Sequence, residues 1–250
     1  MDPAHRQSEA QLRLEWGPTG AQALMPADIA VIVDVLSFTT TLTVAVERGI
    51  EVFPFRWRDD RASVFAADHD AVLAVQRQDA TGVSLSPVSV AAAEGVRRLV
   101  LPSPNGSTIG SLLEDSGATV VGACLRNRTA VAAWLRPRVD AGATVAFVPA
   151  GERWPDGSLR PAVEDLWGAG AVLEALGAAD LGPEAAMAVA AFRAADLPGA
   201  LDGCSSGSEL AAKGFVADVA MAADVDASVA VPVLVDGCFT QSSTSLSEAR

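Results

Sequence analysis

Residues 29–35 read Ile-Ala-Val-Ile-Val-Asp-Val, and this run constrains the fold more than any other feature of the chain. An almost unbroken β-branched stretch leaves no face for water, so it predicts a strand covered on both sides. The segment 39–47 then reads as a helix, with Gly49 as its stop. The alternation continues along the chain. Strands are predicted at 12–16 (an edge strand), 51–55, 71–75, 98–101, 119–122, 144–149 and 229–235. Helices are predicted at 59–68, 87–94, 109–115, 129–135, 161–176, 184–195, 205–212 and 215–223. Strands alternating with helices imply an α/β protein with three layers, α/β/α, around a largely parallel or mixed sheet. The 250 residues suit a single unit over 1–250, with a soft subdivision near 178–201. The Ser-rich end from 241 is expected to fray.

Charge narrows the function classes. Thirty-one acidic residues against 18 basic give −13, a balance that repels nucleic acid and anionic membranes. Lys213 is the sole lysine, so an anion site here must use arginine forks or backbone amides. No apolar stretch approaches the roughly 20 residues of a membrane span, and residues 1–16 lack an apolar signal core. Cys124, Cys204 and Cys238 are far apart and without C-x-x-C spacing, which argues against a zinc site or disulfide framework. A cytoplasmic protein is expected. With only His5 and His69, histidine-based acid–base catalysis is a poor fit.

In open α/β sheets, ligands bind beyond the carboxyl ends of the strands. Four such ends carry polar clusters. The first is Asp34-Val35-Leu36-Ser37-Phe38-Thr39-Thr40. Asp34 could simply cap a helix, but a carboxylate at the tip of so buried a strand calls for Mg²⁺ or an arginine. The second, Ser103-Pro104-Asn105-Gly106-Ser107-Thr108, is either a plain Asn-Gly turn or a helix start whose amides cradle an oxyanion. The third, Gly122 to Asn127, brings Arg126, either a solvated basic cap or an anion fork. The fourth runs from Gly151 and Glu152 through Asp156 and Arg160 to Glu164-Asp165. Those last two could serve only the helix dipole; if one reaches a metal, the other faces an amide or an arginine.

Together these clusters resemble the 2-phosphosulfolactate phosphatase (ComB-like) family. Its pattern is D-V-L-R-A-T-T, S-x-N-G-T, G-x-x-x-N, E-D-x-x-x-A-G and a late S-x-x-G…G-F-x-x-D. This chain has DVLSFTT at 34–40, SPNGS at 103–107, GACLRN at 122–127, EDLWGAG at 164–170, and Ser205 to Ser208 followed by Gly214-Phe215 and Asp218. The resemblance spans about 28–235. It implies a ComB-like fold and a Mg²⁺-dependent hydrolase for a phosphate monoester of a small sulfonated or carboxylated hydroxy acid, as in coenzyme M biosynthesis. Asp34 and one of Glu164 and Asp165 are then the metal-ligand candidates, and Asn105 and Asn127 would hold a phosphoryl oxygen or a metal-bound water. The amides of Gly106 and Ser107 would stabilise developing charge. Ser103, Arg126, Arg160 and Ser206 complete the substrate-binding set. The nucleophile is either water or Asp34 itself. The main departure is Ser37 where the family has arginine, with bulky Phe38 beside it. That loss leaves second-anion recognition to Arg126 or Arg160, and it keeps open a non-catalytic small-anion-binding protein on the same fold. A homo-oligomer is compatible with either reading.

Overall fold

The computed structural model describes residues 2–56, 60–79, 82–178 and 180–242. The predicted fraying from 241 therefore concerns mostly residues 243–250, which lie outside the described set, as does Asp59 at the start of the predicted helix 59–68. The chain opens with β1 (Leu12–Leu14), α1 (Gly17–Ala23), β2 (Ile29–Val33), α2 (Phe38–Glu47), β3 (Glu51–Phe55), α3 (Asp60–Asp68) and β4 (Val72–Leu73). It continues through α4 (Pro87–Ala91), β5 (Arg98–Pro102), α5 (Gly106–Leu113), β6 (Thr119–Ala123), α6 (Arg128–Asp140) and β7 (Val145–Pro149). A small hairpin, β8 (Glu152–Arg153) and β9 (Leu159–Arg160), precedes α7 (Val163–Leu176) and α8 (Pro183–Ala194). The last elements are α9 (Gly199–Gly203), α10 (Ser205–Ala212), α11 (Val216–Ala222), β10 (Pro232–Val235) and β11 (Cys238–Gln241).

Nine strands form one mixed sheet in the order β1-β7-β2-β6-β10-β11-β3-β5-β4. Two parallel sets, β1-β7-β2-β6 and β3-β5-β4, are joined by the antiparallel β10–β11 hairpin. Three successive antiparallel joints reverse the sense of the second set along the ladder. β1 is an edge strand, as its alternation predicts, and β2 sits between β6 and β7 with all five residues buried.

The three layers follow from the two faces of β2. Ile29, Val31 and Val33 point into a core shared with α6, α7 and α8. Ala30 and Ile32 point into the opposite core, shared with α2, α4 and α5. This is the period of two that a strand imposes. Among the described residues no helix is long and apolar enough to cross a membrane.

Some elements depart from the sequence reading. α6 runs to Asp140, past the predicted end at 135, because Pro137 lies in the last turn, where it removes one helical bond rather than breaking the helix. α1, α9, the β8–β9 hairpin and β11 were not anticipated. β11 had a signal: Asp236 and Gly237 both have positive φ, 50° and 77°, and Asp-Gly is a strong two-residue hairpin turn.

The glycines of the EDLWGAG segment serve close packing. A Cβ on Gly170 would meet the Ala188 carbonyl oxygen at 2.0 Å, so α7 and α8 can touch only through a bare backbone. Gly170→Ala should therefore destabilise the protein by about 1–3 kcal/mol or more, the usual cost of overpacking. Urea unfolding measures it, and an unchanged midpoint would show that α8 simply moves aside.

Candidate active site

Four carboxylates gather where the loops after β2, β5 and β7 meet the start of α7. Asp34, Glu164 and Asp165 are buried at 5 %, 2 % and 3 % exposure, and Glu152 is half-buried. Each aspartate joins two loops. Asp34 Oδ1 accepts the Phe38 N–H at 3.1 Å, and Oδ2 accepts the Gly106 N–H at 2.9 Å. One carboxylate thus caps both α2 and α5. Asp165 Oδ1 accepts from Val35 N–H at 2.7 Å, and Oδ2 accepts from Gly151 N–H at 2.9 Å. Only glycine fits at 106, where a Cβ would lie 2.3 Å from the Phe38 ring and 2.8 Å from Asp34 Oδ2.

Burial raises the pKa of Asp34, and the charges of Glu152 and Glu164 raise it further. The two amide hydrogen bonds pull the other way, and the result is about 7. Asp165 is pushed well above the ordinary carboxylate range by burial, then by Asp34 and Glu164. Glu152 is raised by burial, although its hydrogen bond from Asn105 Nδ2 (3.0 Å) and the charge of Arg160 oppose the shift. A groove of about 340 Å³ opens onto Asn105 and Glu152, with Arg56 and Arg153 also on its walls.

The other expected residues divide. Arg160 reaches the group through its influence on Glu152, and its Nη2 donates to Ser206 Oγ at 3.2 Å. Ser103 accepts the Asn105 N–H at 3.4 Å and so shapes the loop. Ser107 Oγ turns back and donates to the Leu101 carbonyl at 2.7 Å. Asn127 is spent on backbone: Oδ1 accepts from Cys124 N–H, and Nδ2 donates to the Gly122 and Ala230 carbonyls. Arg126 points away from the cluster, donating to the Met221 carbonyl at 3.0 Å and facing Asp224 at 3.5 Å. Ser37 and Phe38 are both buried, and the Phe38 ring lies fully within the core. The amide of Gly106, expected to cradle an oxyanion, is held by Asp34 in this structure.

Glu152 was named in the fourth strand-end cluster but given no role there, and the structure sets it beside the other carboxylates. Arg77 has no local signal; its Nη2 donates to Ser37 Oγ at 2.9 Å across 40 residues of sequence. The thiols stay protonated near neutrality, because burial raises Cys124 and, with help from Glu164, lifts Cys204 to about 11.

The cluster's chemistry fits a hard dication. It offers carboxylate oxygens only, and their mutual repulsion would be relieved by positive charge. Among the described residues no three acidic, thiol or imidazole groups are placed to hold a metal ion together. Mg²⁺ does not demand three, since it keeps several waters and takes one or two carboxylates plus phosphate oxygens.

Asp34 also predicts a pH dependence. It binds a proton more tightly when folded (about 7) than at its ordinary value of 3.8, so the metal-free folded state holds the extra proton between them. Stability is then greatest below that window and falls as pH rises through it, by on the order of 4 kcal/mol for a shift of about three units. Urea midpoints in metal-free buffer from pH 4 to 7.5 check this. The wild-type midpoint should fall relative to that of Asp34→Asn, and parallel curves would refute it.

Comparison with known proteins places this cluster in a context. The model of the 2-phosphosulpholactate phosphatase family matches residues 18–237. A protein of Deinococcus radiodurans named "Probable 2-phosphosulfolactate phosphatase" is 33 % identical over 220 residues, which cover 84 % of this chain and 89 % of the relative.

Proposed function

The chain belongs to the 2-phosphosulfolactate phosphatase family, a family of phosphoric monoester hydrolases, and from that premise we propose that the carboxylate cluster is its catalytic centre. The substrate is 2-phosphosulfolactate or a similar small phosphorylated acid, and the reaction depends on Mg²⁺. The observation that carries the reading is the meeting of the buried Asp34 and Glu164 with Glu152, which lines an open groove together with Asn105.

Asp34 and one of Glu164 and Asp165 would hold the ion; each aspartate also accepts an amide on both oxygens, which keeps the surrounding loops in register. When bound, the ion supplies charge neutralisation at the phosphoryl oxygens. Asn105 donates to a phosphoryl oxygen from a side chain already oriented by Glu152. Glu152, made more basic than usual by burial and open to the groove, takes one proton of the attacking water as the O–P bond forms; the ester P–O bond breaks, and the departing alcohol oxygen takes a proton from solvent. Arg160, set by Ser206, balances negative charge at the rim. Four carboxylates would otherwise repel a phosphate dianion, so the cation and the arginines are needed for binding as much as for turnover.

Phosphate release from 2-phosphosulfolactate and from an aryl phosphate, with Mg²⁺ and with EDTA, tests the reading. Turnover should require the metal, and Glu152→Gln should lower kcat by about 10²–10⁴-fold, the range of a lost general base. Cys124→Ser should keep its turnover, because the thiol is buried away from the cluster and faces Thr43 at 3.5 Å. Equal turnover in EDTA would remove the metal, and loss of activity in folded Cys124→Ser would revive a thiolate nucleophile.

A further inference from the structure

The groove that opens onto Asn105 and Glu152 has a volume of about 340 Å³, the size of a small-molecule site. The β8–β9 hairpin forms one side of it through Arg153, Gly157, Ser158 and Leu159, and Trp16, just before α1, lines it as well. In the hairpin Glu152 pairs with Arg160, and Arg153 with Leu159. Successive residues of a strand face opposite ways, so Glu152 and Arg160 share one face, and Arg153 and Leu159 share the other. The first face meets Asn105 at 3.0 Å and Ser206 at 3.2 Å. The second lies against α1, where a Cβ on Gly17 would be 3.1 Å from Leu159 Cδ1. The groove touches both faces. It therefore has a carboxylate and amide end at Glu152 and Asn105, and a guanidinium end at Arg153.

Arg153 is exposed, yet it is held at that end. Its Nη1 donates to the Gly157 carbonyl at 3.1 Å, which fixes the guanidinium at the hairpin turn. Among the described residues it makes no other side-chain hydrogen bond and no ion pair. The acid on the same hairpin is committed elsewhere: Asp156 Oδ1 accepts from the Ser158 N–H at 2.9 Å and from its Oγ–H at 2.6 Å. Arg126 and Arg128, by contrast, each pair with an aspartate. In a chain of net charge −13, Arg153 thus stands without an acid on the wall of the groove.

We propose that Arg153 determines specificity by binding, at its end of the groove, an acidic group that the substrate carries beyond its phosphate. This rests on the phosphatase reading above and adds the recognition of the substrate's other end. With the phosphate at Glu152 and Asn105, the rest of a small acid must extend along the groove. A sulfonate or carboxylate there is repelled by the carboxylate cluster, and a guanidinium on the wall offsets that repulsion. The edge of the guanidinium turned away from Gly157 presents a planar pair of donors that matches either group.

The test compares wild type, Arg153→Gln, Arg153→Lys and Arg56→Gln, the last because Arg56 lines the same groove. Each is assayed with Mg²⁺ on three esters of similar size: 2-phosphosulfolactate, 2-phospholactate (carboxylate alone) and glycerol 2-phosphate (neither acid). Calorimetry gives the Kd of the dephosphorylated acid, sulfolactate, and thermal unfolding confirms that each variant is folded. We expect Arg153→Gln to lower kcat/KM for 2-phosphosulfolactate relative to glycerol 2-phosphate by about fivefold, what one exposed charge pair of good geometry contributes. Sulfolactate binding should weaken by a similar factor, and Arg153→Lys should keep part of both. A matching loss on 2-phospholactate identifies the bound group as the carboxylate, and a loss confined to 2-phosphosulfolactate identifies it as the sulfonate; either supports the inference. Equal losses on all three esters overturn it, because a hairpin brace or a phosphate ligand acts on every substrate. An unchanged ratio with unchanged Kd overturns it, as does a ratio that falls in Arg56→Gln alone. Wild type that neither binds sulfolactate nor prefers 2-phosphosulfolactate to glycerol 2-phosphate overturns it too. Wild type that cleaves no phosphomonoester yet binds sulfolactate through Arg153 refutes the phosphatase reading and leaves the inference standing.

Discussion

The structure turns on one buried carboxylate. Asp34 sits at the tip of the fully buried strand β2 and accepts one amide on each oxygen, from the first turns of α2 and of α5. α2 follows β2 of one parallel set, and α5 follows β5 of the other. The hydrogen bonds of this single side chain therefore tie together the loops of two strand sets that the sheet itself joins only through a hairpin. Helix N-termini attract negative charge, and two of them on one carboxylate give an anion a place in an otherwise apolar interior. Asp165 repeats the device between the loops after β2 and β7.

The same clamps create an imbalance. Amide hydrogen bonds lower a carboxylate's proton affinity, yet Asp34 still rises to about 7, because burial and the neighbouring Glu152 and Glu164 outweigh them. A folding constraint thus gathers carboxylates whose burial and mutual repulsion raise the proton affinity of Asp34 and Asp165. A dication and a substrate bound through arginines are the natural complements of such a site. In this sense the clamp that assembles the loops also selects what can bind between them.

Much of this was legible in the sequence, for identifiable reasons. The β-branched run at 29–35 marks a strand buried on both faces, and polar residues at strand tips mark where a site must lie. Asp34, Asn105, Gly106, Glu164 and Asp165 do meet there. Roles within the cluster were less legible, because a motif's letters do not say which way a side chain turns. Asn127 looks like a ligand in sequence, but its amide is consumed by three backbone partners. Arg126 looks like an anion fork and instead closes the end of α11. Gly170 looks like part of a catalytic signature, yet its visible role is to let two helices touch. Arg77 was hidden for the opposite reason. Nothing local marks it, and only the fold carries it to a serine 40 positions away.

The unusual Ser37-Phe38 pair makes sense once the sheet's two sets are seen to need a key between them. Phe38 is fully buried and packs edge-on against Phe239 of β11, with ring centres 6.3 Å apart and planes at 67°. β11 belongs to the hairpin that joins the two parallel sets. The Phe38 ring also fills the space that a side chain at Gly106 would need. One residue therefore supplies a backbone amide to Asp34, packs on the linking hairpin and keeps the second loop close enough to reach the same carboxylate. A small residue at 38 would leave a void between β11 and the 106 loop, and cavities of aromatic size cost about 3–5 kcal/mol. With its neighbour so committed to the core, Ser37 is the position of the pair that faces a cation, and a short hydroxyl leaves room for the guanidinium that arrives from Arg77. The bulk at 38 and the smallness at 37 are two parts of one packing solution.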